Sequence, residues 1–362
     1  MTKANFRATE FDQFCVVIPA FNEALLVGRC IESVIKAGVP ARHIYVVDDA
    51  SQDGTAVVAR QFAGVNVLVN ESKRGKLGGI RHALEHFDLA ARYHYLAILD
   101  ADSHVAPGYF IEIFNCFARD EHTVLACGAP HSERYNWLTA YRAYEYAVTL
   151  RLYREGQHAL GVITVAPGCA SVYRTRILDQ LDWDACTLVE DMDLTVQIHR
   201  RKLGRVVYTR HAIAYTQDPR TLREYIGQLT RWYRGTWQVV RLRRVPFGGQ
   251  RIDAEFAMLL GEGLFFSLAT VCAPLLAFLW PTAVLTWFAI DLAMVAAFSV
   301  ACAVGLKRAD VLVTIGLFTF LRFVNCAVLL RSFWLEIVRN QQALDWFSVA
   351  RYSGAAMEKS NA

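Results

Sequence analysis

The last third of the chain sets the strongest limit on how it can fold. Between Phe256 and Trp334 the only formal charges are Glu262, Asp291, Lys307, Arg308, Asp310, Arg322 and Arg331, and none lies between Glu262 and Asp291. A helix needs about 20 apolar residues to cross a bilayer. The region therefore predicts three spans, roughly 256–280, 282–306 and 311–334, broken at Pro281 and at Gly305–Asp310. The competing reading is a buried core hairpin, but three adjacent apolar runs of this length are rare in soluble folds. Asp291 and Arg322 are costly in lipid and are expected to face the bundle interior or a headgroup layer. If the residues before Phe256 lie in the cytosol, the Lys307-Arg308 turn does too, as the positive-inside tendency favours. Three crossings would then leave the tail, with Arg339 and Arg351, on the far side.

Composition agrees with a membrane-attached protein. Of the 362 residues 54% are hydrophobic, and the mean hydropathy is +0.23. A net charge of +4 is too weak to argue for nucleic acid and suits a surface resting on anionic headgroups. The nine cysteines are dispersed, with no C-x-x-C pair, and read as reduced thiols. Residues 1–12 are polar and predict no leader sequence. The expected organisation is a polar tail (1–12), a catalytic α/β domain with interfacial helices (13–245), a membrane domain (246–335) and a C-terminal tail (336–362).

Residues 13–220 alternate short β-rich runs with helical ones. Strands are predicted at 14–18 (ended by Pro19), 44–47, 66–69 and 95–99, and helices at about 23–36, 53–61 and 75–87. The alternation predicts a parallel sheet with helices on both faces, which binds ligands at the carboxyl ends of its strands. Those ends carry Asp48-Asp49 and Asp100-Ala101-Asp102.

Five constellations can carry chemistry, and each has a plainer structural reading. Asp100-x-Asp102 can offer carboxylate oxygens to one hard cation and leave positions for phosphate, or form a surface turn; His104 is a further ligand or a loop histidine. Asp48-Asp49-Ala50-Ser51 can accept from a base or ribose, or Ser51 and Asp53 can cap the next helix. Lys73–Gly79 is glycine-rich and basic at a helix start, which favours phosphate, though a plain loop fits too. Glu190-Asp191-Met192-Asp193 opens a helix; it can supply a general base or complement the helix dipole. Gln228-x-x-Arg231-Trp232 places an amide, a guanidinium and an indole on one helix face, suited to phosphate oxygens and a sugar ring. The surrounding segment, about 222–242, also reads as an amphipathic interfacial helix, as does 137–153.

The order of these motifs resembles family 2 glycosyltransferases. Val17-Ile18-Pro19-Ala20-Phe21-Asn22-Glu23, Asp48-Asp49-Ala50-Ser51, Gly75-Lys76-x-Gly78, Asp100-x-Asp102, Pro167-Gly168-Cys169-Ala170, Glu190-Asp191 and Gln228-x-x-Arg231-Trp232 follow in one line. The branch is that of cellulose, chitin, hyaluronan and poly-N-acetylglucosamine synthases, and the resemblance covers roughly residues 13–245. It implies a GT-A fold and an inverting single displacement from a UDP-sugar to a saccharide or lipid-linked acceptor. By the match, Pro19, Phe21, Glu23, Asp48 and Asp49 would line the nucleotide pocket, Lys76 would support the diphosphate, and Asp100 and Asp102 would hold Mg2+ or Mn2+. Asp191, beside Glu190, would be the base. Gln228 and Arg231 would clamp the diphosphate, with Gly168, Cys169 and Trp232 toward the acceptor. It implies a multi-pass protein of the inner membrane with its catalytic domain in the cytoplasm.

Two departures matter. The usual Thr-Glu-Asp reads Val189-Glu190-Asp191, and no apolar span precedes the catalytic region. Three spans are few for a monomeric export pore, which favours a shorter product, a lipid-linked acceptor, or an oligomeric or partnered channel. The rivals are a processive synthase with coupled export, a silent nucleotide-sugar-binding regulator, and a nucleotidyltransferase, which would release pyrophosphate.

Overall fold

The computed structural model describes residues 8–342 and 350–352. In chain order the elements are β1 (Phe14–Ala20), α1 (Val27–Lys36), β2 (Ile44–Asp48), α2 (Thr55–Arg60), β3 (Asn66–Val69), α3 (Gly75–His86), α4 (Leu89–Arg92), β4 (Tyr95–Ile98), β5 (Ser103–Val105), α5 (Tyr109–Arg119), β6 (Thr123–Ser132), α6 (Trp137–Val148), α7 (Glu155–Leu160), β7 (Ser171–Arg174), α8 (Glu190–Arg200), β8 (Arg205–Thr216), α9 (Leu222–Arg243), α10 (Arg251–Leu279), α11 (Pro281–Leu306) and α12 (Thr314–Phe333). A π-helical turn, Thr149–Arg154, joins α6 to α7.

The strands form one sheet in the order β3-β2-β1-β4-β7-β6-β8-β5. Only half of it matches the expected parallel sheet. β3, β2, β1 and β4 are parallel, β7 is antiparallel to both β4 and β6, β6 and β8 are parallel, and β5 closes the edge antiparallel to β8. The mixed half arises because the chain leaves the sheet after β6 to build α6 and α7, and re-enters as β7 at the same end, so that β7 runs back against β6. β1 also outlasts its expected end. Pro19 stays in register with Val47, whereas pairing with β4 stops at Val17–Ile98. The missing proline N–H faces the side where that ladder has already ended.

Residues of β1 alternate between two cores. Phe14, Val16, Ile18 and Ala20 pack toward α1 and α5, and Cys15 and Val17 toward α3 and α8. This two-residue period fixes the register. It sets the ends of β1, β2 and β4, with their acidic loops, side by side at one edge.

Three helical segments, Arg251–Leu279, Pro281–Leu306 and Ala309–Val338, are long and apolar enough to cross a membrane. Their outward faces expose large apolar side chains, including Phe278 at 87% and Leu285 at 68%. Asp291 and Arg322 pair at 2.7 Å between α11 and α12, so their charges offset each other inside the bundle, as expected.

The amphipathic helices α6 and α9 are not bare headgroup-facing surfaces. Leu138, Tyr141, Tyr225 and Leu229 pack with Leu321 and Val328 of α12, and Ala143, Tyr144 and Ala147 pack with Val295 and Cys302 of α11. α12 runs alongside α9 in the same direction. Tyr225 donates to Asn325 at 2.7 Å near one end, and Arg234 pairs with Glu336 at 2.7 Å near the other. Arg308, before α12, donates to the Ser132 carbonyl at 2.8 Å. Both ends of the segment therefore touch the catalytic domain, and the expectation of a tail on the far side is corrected. Beyond it, Arg351 reaches the acidic edge of the sheet.

Candidate active site

A cavity of about 1230 Å³ opens at the carboxyl ends of β1, β2 and β4. Asp102, Asp191 and Arg231, which come from the β4–β5 loop, α8 and α9, all line it.

Lys76 holds the centre together. Its Nζ lies 2.6 Å from Asp100 Oδ1 and 2.6 Å from Glu190 Oε1. Burial opposes the charge on Lys76, but these two carboxylates outweigh it and hold the amine well above its usual pKa. Burial alone would raise Asp100; Lys76, aided by Arg231 and Arg351, holds it below the usual range. Among the described residues no cation pairs directly with Asp191, and Lys76 only partly opposes the rise of its pKa. Burial, then the charge of Glu190, raise its carboxyl to about 6. The Gly168 N–H donates to Asp191 Oδ2 at 3.2 Å, and the Met192 N–H to Oδ1 at 2.8 Å. A β-carbon on Gly168 would lie 2.7 Å from Lys76 Nζ, so any larger residue there would push the amine from its place between Asp100 and Glu190.

The neighbouring carboxylates face an arginine from the far end of the chain. Arg351 donates twice from Nε to Glu23, at 2.8 and 3.0 Å, and its Nη1 lies 2.8 Å from Asp102 Oδ2. Burial raises Glu23 to about 7, with Asp102 and Asp100 adding to the rise and Arg351 opposing it. Burial also raises Asp102, against the pull of Arg351. Tyr352 anchors the segment: its carbonyl accepts from Gln217 Nε2 at 2.8 Å, and the Arg220 guanidinium sits 4.7 Å from its ring.

Residues 12–235 match the family described as "Glycosyltransferase like family 2". The chain belongs to glycosyltransferase family 2. The transferase is 24% identical over 246 residues to the poly-beta-1,6-N-acetyl-D-glucosamine synthase of Staphylococcus aureus (strain COL), a stretch covering 66% of this chain and 58% of that protein. The synthase of the same name from Staphylococcus epidermidis is 24% identical over 232 residues, 62% of this chain and 54% of the relative. The transferase thus matches little more than half the length of these curated relatives. Among solved structures, the mannosyltransferase PcManGT from Pyrobaculum calidifontis, in complex with GDP-Man and Mn2+, superposes with a TM-score of 0.61 at 17% identity. The match covers 91% of this chain and 88% of that one. The fold is GT-A.

Most of the expected site residues line the one cavity: Pro19, Phe21, Glu23, Asp49, Lys76, Asp100, Asp102, Gly168, Cys169, Glu190, Asp191, Gln228, Arg231 and Trp232. Asp48 does not. Its Oδ1 accepts from Ser51 N–H and its Oδ2 from Ala56 N–H, so it caps the turn into α2. Successive strand residues point to opposite faces, and only Asp49 turns toward the cavity. There it accepts from Asn70, Arg74 N–H and Gly75 N–H, each at 2.8 Å, and so shapes the basic loop. Phe21 carries Lys73 Nζ 3.9 Å above its ring at the mouth. Trp232 has the Arg142 guanidinium 4.7 Å from its ring. His104 stacks on Tyr215, and Arg29 donates to its Nε2 at 3.1 Å, contacts that fit the loop-histidine reading. Burial, with Arg29, lowers its pKa to about 4.

The sequence reading missed Arg351 and Arg154, both of which line the cavity. Neither sits in a local pattern; chain path alone brings them there. Asp100 and Asp102 fit a divalent cation by their chemistry. They are half-buried carboxylates whose repulsion is offset by Lys76 and Arg351, at a strand end that lines the cavity. Among the described residues no cluster of three or more His, Cys, Asp or Glu forms, so such an ion would depend on ligand oxygens, as Mg2+ commonly does.

Proposed function

We propose that the chain transfers a sugar from a nucleoside diphosphate sugar, UDP-linked by family resemblance, to an acceptor hydroxyl at the cytoplasmic face of a membrane. The observation that carries this is the convergence of Lys76, Asp100, Glu190, Asp191 and Arg231 on one cavity, because a displacement at a sugar carbon needs a base and leaving-group stabilisation together. In the step, Asp191 takes the acceptor proton, and the acceptor oxygen bonds to the anomeric carbon. The bond from that carbon to the diphosphate breaks, and its electron pair leaves on the phosphate oxygen. Gln228 and Arg231 bind the departing diphosphate, Lys76 keeps Asp100 and Glu190 in place, and Phe21 with Asp49 borders the nucleotide end. When bound by Asp100 and Asp102, Mg2+ or Mn2+ supplies further neutralisation of the diphosphate.

The Staphylococcus relatives are named as polymer synthases, and this supports a second reading: repeated transfer to a growing saccharide with coupled export, alone or with an oligomeric or export partner. A panel of UDP- and GDP-sugars, scored for nucleoside diphosphate release by purified chain in lipid nanodiscs with and without Mn2+ or Mg2+, tests the activity. Metal-dependent release from one donor is expected. Release from none, or release of pyrophosphate, would remove the proposal. Product length then separates single from repeated transfer.

A further inference from the structure

A second, smaller cavity of about 160 Å³ lies between α9, α10 and α12. Met192, Tyr233, Thr236, Trp237, Leu260 and Gly263 wall it, and the first three also line the catalytic cavity. The slot therefore adjoins the base at one end, since Met192 follows Asp191. At the other it reaches α10, whose outward face is apolar. Thr164 lies on the slot wall and Val165 on the catalytic cavity, and the Val165 carbonyl accepts from Arg154. Arg154 lines the catalytic cavity and is 7% exposed. Its Nε makes no hydrogen bond, and among the described residues no carboxylate pairs with it.

A buried guanidinium without a counter-anion is costly unless it meets one. An orphaned buried donor of this kind points to a ligand. The slot is walled mostly by apolar side chains and is bounded by α10 and α12, which belong to the segments long and apolar enough to cross a membrane, so its lining suits a hydrocarbon chain better than a sugar.

We infer that the acceptor is an anionic lipid: its hydrocarbon tail lies in the slot between α9, α10 and α12, its phosphate meets Arg154, and a headgroup hydroxyl reaches Asp191. This rests on the transferase reading and names the acceptor class for the same site. A phospholipid with a hydroxylated headgroup and a lipid-phosphate-linked saccharide share this chemistry.

Photo-crosslinking tests it. The probe is lysophosphatidylglycerol with a diazirine at the tail end, and its neutral control is the matching monoacylglycerol, each added to the full chain in nanodiscs. Peptides spanning Tyr233–Trp237 and Leu259–Gly263 are expected to label with the anionic probe about tenfold more than with the control. Gly263→Leu, which fills the slot, and Arg154→Gln should each remove most of that label. Arg154→Lys, which keeps the charge, should recover part of it, as a variant that merely misfolds would not. Competition by unlabelled phosphatidylglycerol or by a polyprenyl phosphate-linked sugar distinguishes the two sources. Equal labelling by both probes, or labelling confined to outward positions and unaffected by the variants, would overturn the inference. Binding of UDP and GDP by the wild type in the same preparation separates the failures: a bound nucleoside diphosphate without slot labelling sinks the lipid acceptor alone, and binding of neither sinks the transferase reading itself.

Discussion

Burial and Glu190 together raise the Asp191 carboxyl to about 6. Below that pH it is protonated and cannot take a proton; above it the base is available. The expected pH profile of kcat/KM therefore rises through about pH 6 and levels off; a profile flat from about pH 5 to 7 would contradict this role. A second residue-scale expectation concerns Arg351. Its guanidinium holds the Asp102 oxygen that a cation would use. Arg351→Ala should tighten Mn2+ binding, read by electron paramagnetic resonance without donor, by about tenfold, or ~1.4 kcal/mol; unchanged or weaker binding would show that Asp102 is not the competing ligand. Residue roles were only partly legible in the sequence. Asp48 and Asp49 are adjacent and chemically identical, and only the strand's two-residue alternation decides that one caps a helix and the other faces the cavity. Arg351 gave no local signal.

The elements that place the base are tied by buried charge. Asp193 of α8 accepts from Arg243 of α9 at 2.7 and 2.8 Å and from Gln197 at 2.8 Å, and its side chain is fully buried. Asp193→Ala leaves Arg243 without its main partner and should destabilise the domain by about 3–5 kcal/mol, seen as a lowered Tm in detergent. A Tm within about 1 °C of wild type would show that the pair contributes little. β1 to β4 were readable because their apolar runs end at acidic turns. The mixed half of the sheet was not. β8 carries Arg205, Arg210 and His211 among its twelve residues, which blurs any apolar run, and nothing local reveals that β7 enters antiparallel.

At the scale of the whole molecule, the apolar helices were evident from charge alone, but their path was not. Periodicity marks a helix as long enough to cross a bilayer; it does not say what lies beside it. Here α12 lies along α9, with Arg308 on Ser132 at one end and Glu336 on Arg234 at the other. A cysteine introduced at Gln341 should therefore react with a membrane-impermeant reagent from the same side as Cys186 of the catalytic domain, which is exposed. Labelling from the opposite side would contradict this path. The most direct test of the account as a whole is donor binding and sugar transfer measured together for Asp191→Asn. Convergence of the acids and α9 on one reaction centre predicts donor affinity within about threefold of wild type and transfer at least ~100-fold slower. Transfer at near wild-type rate would contradict it.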